Sequence, residues 1–325
     1  MGRRRRHFRP EGIYFITNRC AGERYLLRPD EESRRIFLGA MARYADHYDI
    51  EVFAYVMMGN HFHLILRSRT LRIPDFMRDF QRHVSYEIQE IRPNWNSKVF
   101  PNRYHSEEIA DDGALHDLIR YTVLNPVQAG LVRHPADWHE ASSWHLHHGG
   151  DRIEKGFLDR SRLRELRRKA NDGETVKPER AMRTFALELT PPPALEGQCA
   201  ESVAERLFSQ VEKRCVHIKK RRSAEGKERA LGFDKAADLR PTSRPDNPAE
   251  APEPICHANH PEIQKAYEHE FWGIMDRYAA ASQAWRDGEE DVDFPPGTYP
   301  PGRLRPEPNP AGDNPIARIA FPNRS

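Results

Sequence analysis

The feature that most constrains this chain is a predicted β-hairpin over residues 51–67, which carries two histidines directly after its turn. Two apolar strands flank Gly59-Asn60, a typical two-residue turn sequence. Because side chains alternate between the faces of a strand, His61 and His63 share one face and the residues between them face the other side. Two imidazoles in this arrangement can bind one metal ion together. Half-buried polar side chains beside a turn are the ordinary alternative.

Composition limits how much of the 325-residue chain can form a packed core. Only 38% of the residues are hydrophobic, 31% are charged and 26 are proline, so a sizeable part is expected to be exposed linker or extended chain. The net charge of +2 conceals two basic runs, at 3–6 and 219–222, which make a polyanion a plausible partner. The four cysteines are scattered and form no C-x-x-C pair, which favours a reducing compartment over a disulfide framework. With no apolar run of membrane-spanning length and no signal-peptide core, the protein is predicted to be cytoplasmic.

The order of predicted elements indicates an α+β fold. The pattern gives, in turn, a strand at 13–18, a helix at 30–48, the hairpin, a helix at 74–91, a strand at 98–109 and a helix from 111. This β-α-β-β-α-β-α order is typical of a ferredoxin-like antiparallel sheet with packed helices. We place this domain at residues 1–150. Residues 151–325 are predicted to be a basic, proline-rich extension with short helices and partly disordered segments.

A second informative stretch lies on the helix that starts at Asp111. Asn125 follows Tyr121 by four residues, so on a continuous helix the phenol and the amide point the same way. Pro126 disfavours helical geometry at the preceding residue, which predicts that Asn125 occupies the helix end. An amide in that place can also be a simple cap for the last carbonyls.

Two other clusters are candidates for metal binding, but each has a simpler interpretation. Trp138, Trp144 and five histidines occupy residues 134–148, and such unspaced histidines are typical of a peripheral packing segment. Cys256-His257 lacks a second ligand pair, which favours a surface loop.

Two motifs agree in content, order and spacing with a known family. The hairpin phrase VMMGNHFHLIL, the helix phrase LIRYTVLNPVQAGLV and the Trp/Ser/His segment after them resemble the single-tyrosine HUH transposases, which include the REP-associated and IS200-like tyrosine transposases. The resemblance covers about residues 10–150. It departs from the family pattern at Gly59, where relatives usually have proline, and at residues 100–103, where a Trp-Gln-x-Arg type of phrase is more usual.

The resemblance implies a HUH-nuclease-like fold and assigns a role to each candidate. Carried over by position, Tyr121 becomes the nucleophile, His61 and His63 become metal ligands, and Asn125 becomes the third ligand. The implied reaction is cleavage and rejoining of single-stranded or hairpin DNA through a 5′-phosphotyrosine. A weakly nucleophilic phenol needs a nearby cation, and imidazoles plus an amide suit Mg²⁺ or Mn²⁺. The expected partner is single-stranded or hairpin DNA, and the protein is expected to act as a monomer or a homodimer.

DNA binding is predicted to rest on arginines near the first strand, on the second helix and before the last strand. These are Arg3, Arg4, Arg5, Arg6, Arg78, Arg82 and Arg103. Three alternatives stay open: an inactive DNA-binding regulator of the same fold, a phosphodiesterase in which water attacks, and a structural protein whose histidines only pack.

Overall fold

The computed structural model describes residues 5–147, 152–170, 175–192, 200–245, 254–289 and 291–299. The strands are β1 (Ile13–Arg19), β2 (Glu51–Met57), β3 (His61–Arg67), β4 (His105–Ile109), β5 (Ile153–Leu158), β6 (Met182–Leu187) and β7 (Cys256–His257). The helices are α1 (Glu31–Tyr48), α2 (Ile73–Ile91), α3 (Asp112–Gln128), α4 (Trp144–His147), α5 (Arg160–Lys169), α6 (Ala200–Ala224), α7 (Phe233–Ala237) and α8 (Pro261–Arg286).

A five-stranded sheet in the order β2-β3-β1-β4-β7 organises the fold. Neighbouring strands are antiparallel except for β4 and β7, which are parallel. The first six elements follow the order β-α-β-β-α-β, and their strands have the 2-3-1-4 arrangement of a ferredoxin-like sheet. The predicted α+β class with an antiparallel sheet and packed helices is therefore confirmed.

Helices cover both faces of this sheet, and each face has its own apolar core. Phe62, Leu64 and Leu66 of β3 pack with α1 and α2 on one face. Ile65 packs with Phe15 and with α3 on the other face. The histidines alternate with the first set, so they lie on the α3 face, as the period-two pattern predicted.

Side-chain caps fix where two of these helices begin. Asp30 accepts a hydrogen bond from the Ser33 amide, and Asp111 accepts one from the Ala114 amide. Both aspartates were expected from their place before an apolar periodic stretch. These caps set the phase of α1 and α3, and thereby which side chains face the sheet.

Two expectations about the secondary structure of the first 150 residues were wrong, and one sheet beyond them was not predicted. The strand predicted over 98–109 is regular only from His105, because Pro101 and its neighbours break the ladder. Helix α3 continues through Pro126 to Gln128, so Asn125 lies inside the helix and not at its end. Residues 153–158 and 182–187 pair as a separate two-stranded sheet that the sequence pattern did not indicate.

The part of the chain beyond residue 150 adds to the central sheet. Cys256 and His257 form β7 beside β4, and Cys256 is buried, so the surface loop expected there is wrong. A buried ion pair between Arg9 and Glu108 lies below this edge, and the Tyr267 hydroxyl of α8 donates to the same carboxylate over 3.0 Å. Helix α8 is thus attached to the β4 edge of the central sheet.

The histidine- and tryptophan-rich segment packs as expected. Trp138 and Trp144 are buried, and the Trp138 indole donates a 3.0 Å hydrogen bond to the Met57 carbonyl. The Ser143 amide donates to the Tyr55 carbonyl, which fastens the segment to the free edge of β2. Across the described residues, no group of three or more His, Cys, Asp or Glu side chains could hold a metal ion.

Some predictions lie outside the described residues. These are the roles of Arg3 and Arg4, most of the proline-rich stretch 241–254, and the end of the tail after residue 300. Within the ranges that are described, no helix is both long and apolar enough to cross a membrane.

We predict that His83 makes the fold acid-sensitive. Its ring stacks on Phe157 with 4.2 Å between centroids, and burial, assisted by Arg160, lowers the pKa of His83 to about 3. The unfolded chain takes up the proton near pH 6.5, so the stabilisation is present above pH 6.5 and is lost as the pH falls toward 3. Since one pKa unit is about 1.4 kcal/mol, the loss between pH 6.5 and 5 is about 1–2 kcal/mol after allowance for partial exposure.

Urea unfolding at pH 7.5 and 5.0 measures this contribution. In His83→Gln the drop in unfolding free energy between the two pH values should be smaller by that amount, while His47→Gln, at an exposed position, should show the wild-type drop. An equal drop in wild type and His83→Gln would contradict the assignment.

Candidate active site

The β2–β3 hairpin holds the two histidines at the start of its second strand. The Met58 amide donates to the His61 carbonyl over 2.8 Å and closes the turn. A Cβ at Gly59 would lie only 2.8 Å from the Tyr25 ring, so a larger residue there would require that ring to shift. The turn therefore packs against the loop before α1, which fixes the direction of β3.

Each histidine ring is oriented through its Nδ1 atom. The His61 Nδ1 lies 2.7 Å from the Asn60 Oδ1, and the His63 Nδ1 lies 2.8 Å from the Thr17 hydroxyl on the neighbouring strand. The two ring centroids are 4.9 Å apart. This is the geometry of metal-binding imidazoles, in which the second nitrogen is held by a hydrogen bond and the first is left for the ligand.

The Nε2 atom of His63 is buried and has no hydrogen-bond partner in the described part of the chain. Burial lowers the pKa of His61 to about 4, and burial together with His61 and Arg19 holds the pKa of His63 well below its usual range. Both imidazoles are thus neutral near pH 7, the form that donates a lone pair. A buried lone pair without a partner costs free energy, and a cation would satisfy it.

Helix α3 brings Tyr121 to the histidines. Its ring lies 5.6 Å from the His63 ring and 6.1 Å from Phe15, and its side chain is hydrogen-bonded to Asn125 one turn further on. Burial raises the pKa of Tyr121 above its ordinary value of 10.0. The residue is still 37% exposed, so a substrate can reach it.

The structure brings together all four residues predicted for the chemistry. His61, His63, Tyr121 and Asn125 lie on the α3 face of the sheet, although they come from two separate parts of the chain. Two imidazoles and the amide oxygen of Asn125 form a donor set that fits a divalent ion with open positions for oxygen ligands.

Sequence reasoning missed the residues that surround this group. Thr17 and Phe15 of β1 contact His63, and the positive charge of Arg19 acts on both histidines. The signal was available, since the period of two in β1 puts positions 15, 17 and 19 on one face. It was not decisive, because the partner strand of β1 was unknown.

A second missed feature is a pair of side chains at the β4 edge. The His257 Nε2 lies 2.9 Å from a carboxylate oxygen of Glu107, and the His257 ring contacts Phe15 at 5.5 Å. Glu107 also acts on Tyr121 by its negative charge. Because His257 follows Glu107 by 150 residues, no sequence spacing could have indicated this pair.

The predicted DNA-binding arginines separate into two groups. Arg5, Arg6 and Arg103 line one cavity at the end of β4. Arg78 and Arg82 lie on α2, behind the sheet as seen from the histidines, and both pair with Asp79. The structure therefore does not bring this second group to Tyr121.

Comparison with known proteins points to one family. Residues 20–122 match the family model "Transposase IS200 like". A protein of Haemophilus influenzae that bears the name REP-associated tyrosine transposase is 26% identical over 155 residues, which are 45% of this chain and 86% of the relative. The family predicted from the two motifs is confirmed for this segment, and it is a family of enzymes.

Two solved structures are also similar to part of the chain. A REP-associated tyrosine transposase bound to a REP hairpin matches with a TM-score of 0.39 and 19% identity, over 45% of this chain and 84% of that one. A transposase from Deinococcus radiodurans R1 matches with a TM-score of 0.27 and 16% identity, over 37% of this chain and 95% of that one.

Proposed function

We propose that this chain, whose residues 20–122 belong to the IS200-like transposases, is a metal-dependent transferase of DNA strands that cleaves and rejoins single-stranded or hairpin DNA. The observation that carries the proposal is the convergence of Tyr121 on the buried, unpartnered Nε2 of His63. Nucleophilic attack of a phenol on a phosphodiester requires a cation close to the phenol, and an imidazole nitrogen without another partner can bind that cation.

The reaction needs one nucleophile and releases one alcohol. The Tyr121 Oη forms a bond to phosphorus, the bond from phosphorus to O3′ breaks, and the 3′ oxygen takes up a proton. The products are a 5′-phosphotyrosine and a free 3′-hydroxyl. A second 3′-hydroxyl then attacks the same phosphorus, which restores the phenol and joins the strands. The covalent intermediate conserves the phosphodiester bond energy, so no nucleotide cofactor is needed.

Each side chain around Tyr121 has a distinct task. His61, His63 and Asn125 would hold the Mg²⁺ or Mn²⁺ ion, which supplies charge to polarise the phosphate when bound. Thr17 and Asn60 keep the two imidazoles in one orientation. The hydrogen bond with Asn125 favours the ionised phenol, against the effect of burial on the pKa of Tyr121.

The proposal is tested by incubating the purified protein with 5′- and 3′-labelled hairpin oligonucleotides and Mn²⁺ or Mg²⁺. We expect a covalent adduct on denaturing gels that carries only the DNA on the 3′ side of the cut, and that is absent after chelation. Binding of the hairpins without any adduct, on the DNA that flanks the chain's own coding sequence, would instead support the regulator of the same fold.

The ligand assignment makes a prediction for metal binding. His63→Ala removes the buried Nε2 and should weaken Mn²⁺ binding more than about tenfold, and Thr17→Val should weaken it about tenfold or more because it frees the ring to rotate. Titration followed by the spin resonance of free Mn²⁺ measures both. His260→Ala, at an exposed position far along the chain, is the control and should bind as wild type does. Unchanged Mn²⁺ affinity in both His61→Ala and His63→Ala would contradict the assignment of these histidines as metal ligands.

A further inference from the structure

A cavity of about 290 Å³ lies beside Arg103, two residues before β4, and four separate parts of the chain line it. Arg5, Arg6 and Phe8 come from the N-terminal segment, Pro74 from the start of α2, and Arg103 from the loop before β4. Tyr278 of α8 and Tyr299 come from the C-terminal part. The C-terminal part of the chain therefore completes a cavity whose basic side chains come from the transposase-like domain.

The cavity carries excess positive charge. None of its three arginines forms an ion pair with an acid among the described residues. The negative charge of Asp75 acts on Tyr299, but Asp75 is already paired with Arg72 and Arg78. Burial lowers the pKa of the Arg6 guanidinium, and the charge of Arg103 acts in the same direction. An anion placed here would relieve this repulsion.

Two of the three arginines, Arg5 and Arg6, are held in place before any ligand arrives. The Arg6 guanidinium lies 3.4 Å above the Tyr104 ring and donates to the Tyr104 carbonyl over 2.8 Å. Arg5 lies 4.3 Å above the Tyr278 ring, whose hydroxyl donates to the Tyr299 carbonyl over 2.7 Å. Pre-oriented guanidiniums lose little entropy when they bind a phosphate. Tyr104 itself is buried and therefore cannot stack a base.

One aromatic ring of the cavity is open. Tyr299 is 37% exposed, and its hydroxyl is anchored by a 3.4 Å hydrogen bond to the Leu71 carbonyl. A fixed, exposed aromatic beside a basic cavity is the combination that binds single-stranded nucleic acid, because the base stacks while the phosphate is neutralised.

The cavity lies on the α2 side of the sheet, because Pro74 of α2 and Phe8 also line it and Phe8 packs in the core on that side. Arg103 lies two residues before His105, and His105 pairs with Thr17, whose other neighbour is His63. Two strand spacings and two residues of chain put the backbone of Arg103 about 15 Å from that of His63. A single strand cut at Tyr121 that passes round the end of the sheet beside Arg103 could reach the cavity within several nucleotides.

We propose that this cavity binds one nucleotide of the single-stranded DNA that flanks the cleavage point, with its phosphate on Arg5, Arg6 and Arg103 and its base on Tyr299. This inference rests on the proposed function, and it gives the C-terminal part of the chain a role in substrate binding.

The test uses the full chain with Tyr121→Phe as background, so that binding is measured without cleavage. Fluorescence anisotropy of a hairpin with a single-stranded flank should show that Arg5→Gln with Arg103→Gln weakens binding about tenfold or more and lowers the salt dependence. The double variant Arg164→Gln with Arg168→Gln removes the same charge from exposed positions of α5 and should bind within about twofold of the background. Tyr299→Ala should weaken binding about fivefold or more with an unchanged salt dependence.

Neutral phosphate analogues locate the nucleotide. One methylphosphonate at a time replaces each phosphate of the single-stranded flank. At one position this replacement should weaken binding to the background protein but not to the variant that also carries Arg5→Gln and Arg103→Gln. Equal effects in the two proteins at every position would overturn the proposal. Thymidine monophosphate that displaces the hairpin at the concentration of the oligonucleotide itself would overturn it in favour of a site for free nucleotides.

Failure of this proposal can be distinguished from failure of the proposed function. If the protein with Tyr121 intact forms the covalent adduct and the cavity variants bind DNA normally, only the cavity assignment fails. If no adduct forms but the cavity variants lose binding, the nucleotide site stands and the strand transfer fails.

Discussion

Tyr121→Phe is expected to abolish adduct formation and strand cleavage, with a loss of more than about 10³-fold in the single-turnover rate. The substitution removes one oxygen and leaves the ring, which contacts His63 and Phe15, in place. The hydroxyl belongs to a partly exposed side chain and has Asn125 as its partner, so its loss should change the unfolding free energy by less than about 1 kcal/mol. The change therefore separates chemistry from folding.

Single-turnover assays with labelled hairpin DNA, read on denaturing gels, measure this effect. Tyr86→Phe is the matched control, since Tyr86 is 50% exposed on α2 and lies on the other side of the sheet from the histidines. It should cleave as wild type does. Cleavage that persists in Tyr121→Phe would mean that water attacks the phosphate, and the protein would then be a phosphodiesterase.

Glu108→Ala is expected to cost about 3–5 kcal/mol of unfolding free energy. Glu108 is nearly fully buried and accepts hydrogen bonds from Arg9, from the Tyr14 hydroxyl at 3.2 Å and from the Tyr267 hydroxyl at 3.0 Å. Truncation leaves the buried guanidinium of Arg9 without its counter-charge and two hydroxyls without an acceptor. The penalty of stranding these groups exceeds the value of any one bond.

Urea unfolding measures the loss of unfolding free energy in Glu108→Ala, and amide hydrogen exchange shows which elements are destabilised. Because Tyr267 belongs to α8, exchange in α8 and β7 should rise before exchange in β1 and β3. Glu165→Ala is the control, since Glu165 pairs with Lys169 on the exposed face of α5 and its loss should leave the unfolding free energy close to that of the wild type. Arg9→Met combined with Glu108→Leu should recover most of the stability. A cost below 1 kcal/mol for Glu108→Ala would show that water reaches the pair.

The two substitutions test different properties of the protein: Tyr121→Phe tests the reaction and Glu108→Ala tests the stability of the fold. Tyr121 is partly exposed in the candidate active site, and its substitution should change the rate of DNA cleavage. Glu108 lies on the opposite face of β4 from Glu107, which contacts His257 near that site. Loosening α8 should therefore also disturb the Glu107–His257 pair and the cavity formed by Arg5, Arg6 and Tyr278.

The sequence determined those parts of the fold that depend on local spacing. The alternation of β3 predicted which face His61 and His63 share, and the caps Asp30 and Asp111 predicted where α1 and α3 begin. Helix α1 ends at Tyr48, the end predicted for it. Local steric and hydrogen-bonding rules act over a few residues, and a sequence displays them directly.

The resemblance in motifs predicted more of the candidate site than residue spacing alone could predict. Tyr121 and Asn125 stand four residues apart, which explains their mutual hydrogen bond but not their approach to the histidines. The resemblance to single-tyrosine transposases supplied that link, and α3 does lie on the histidine face. The role of each residue stays a prediction until the adduct and metal experiments are done.

Tertiary structure alone decided the rest. The helix continues past Asn125 because α3 is packed along the sheet, and packing outweighs the local preference set by Pro126. His257 reaches Glu107, and Tyr278 and Tyr299 reach Arg5 and Arg6, across separations that no periodicity encodes. Such contacts depend on which surfaces bury the most apolar area and satisfy buried charges such as Arg9 and Glu108, a property of the whole packed chain and not of any segment.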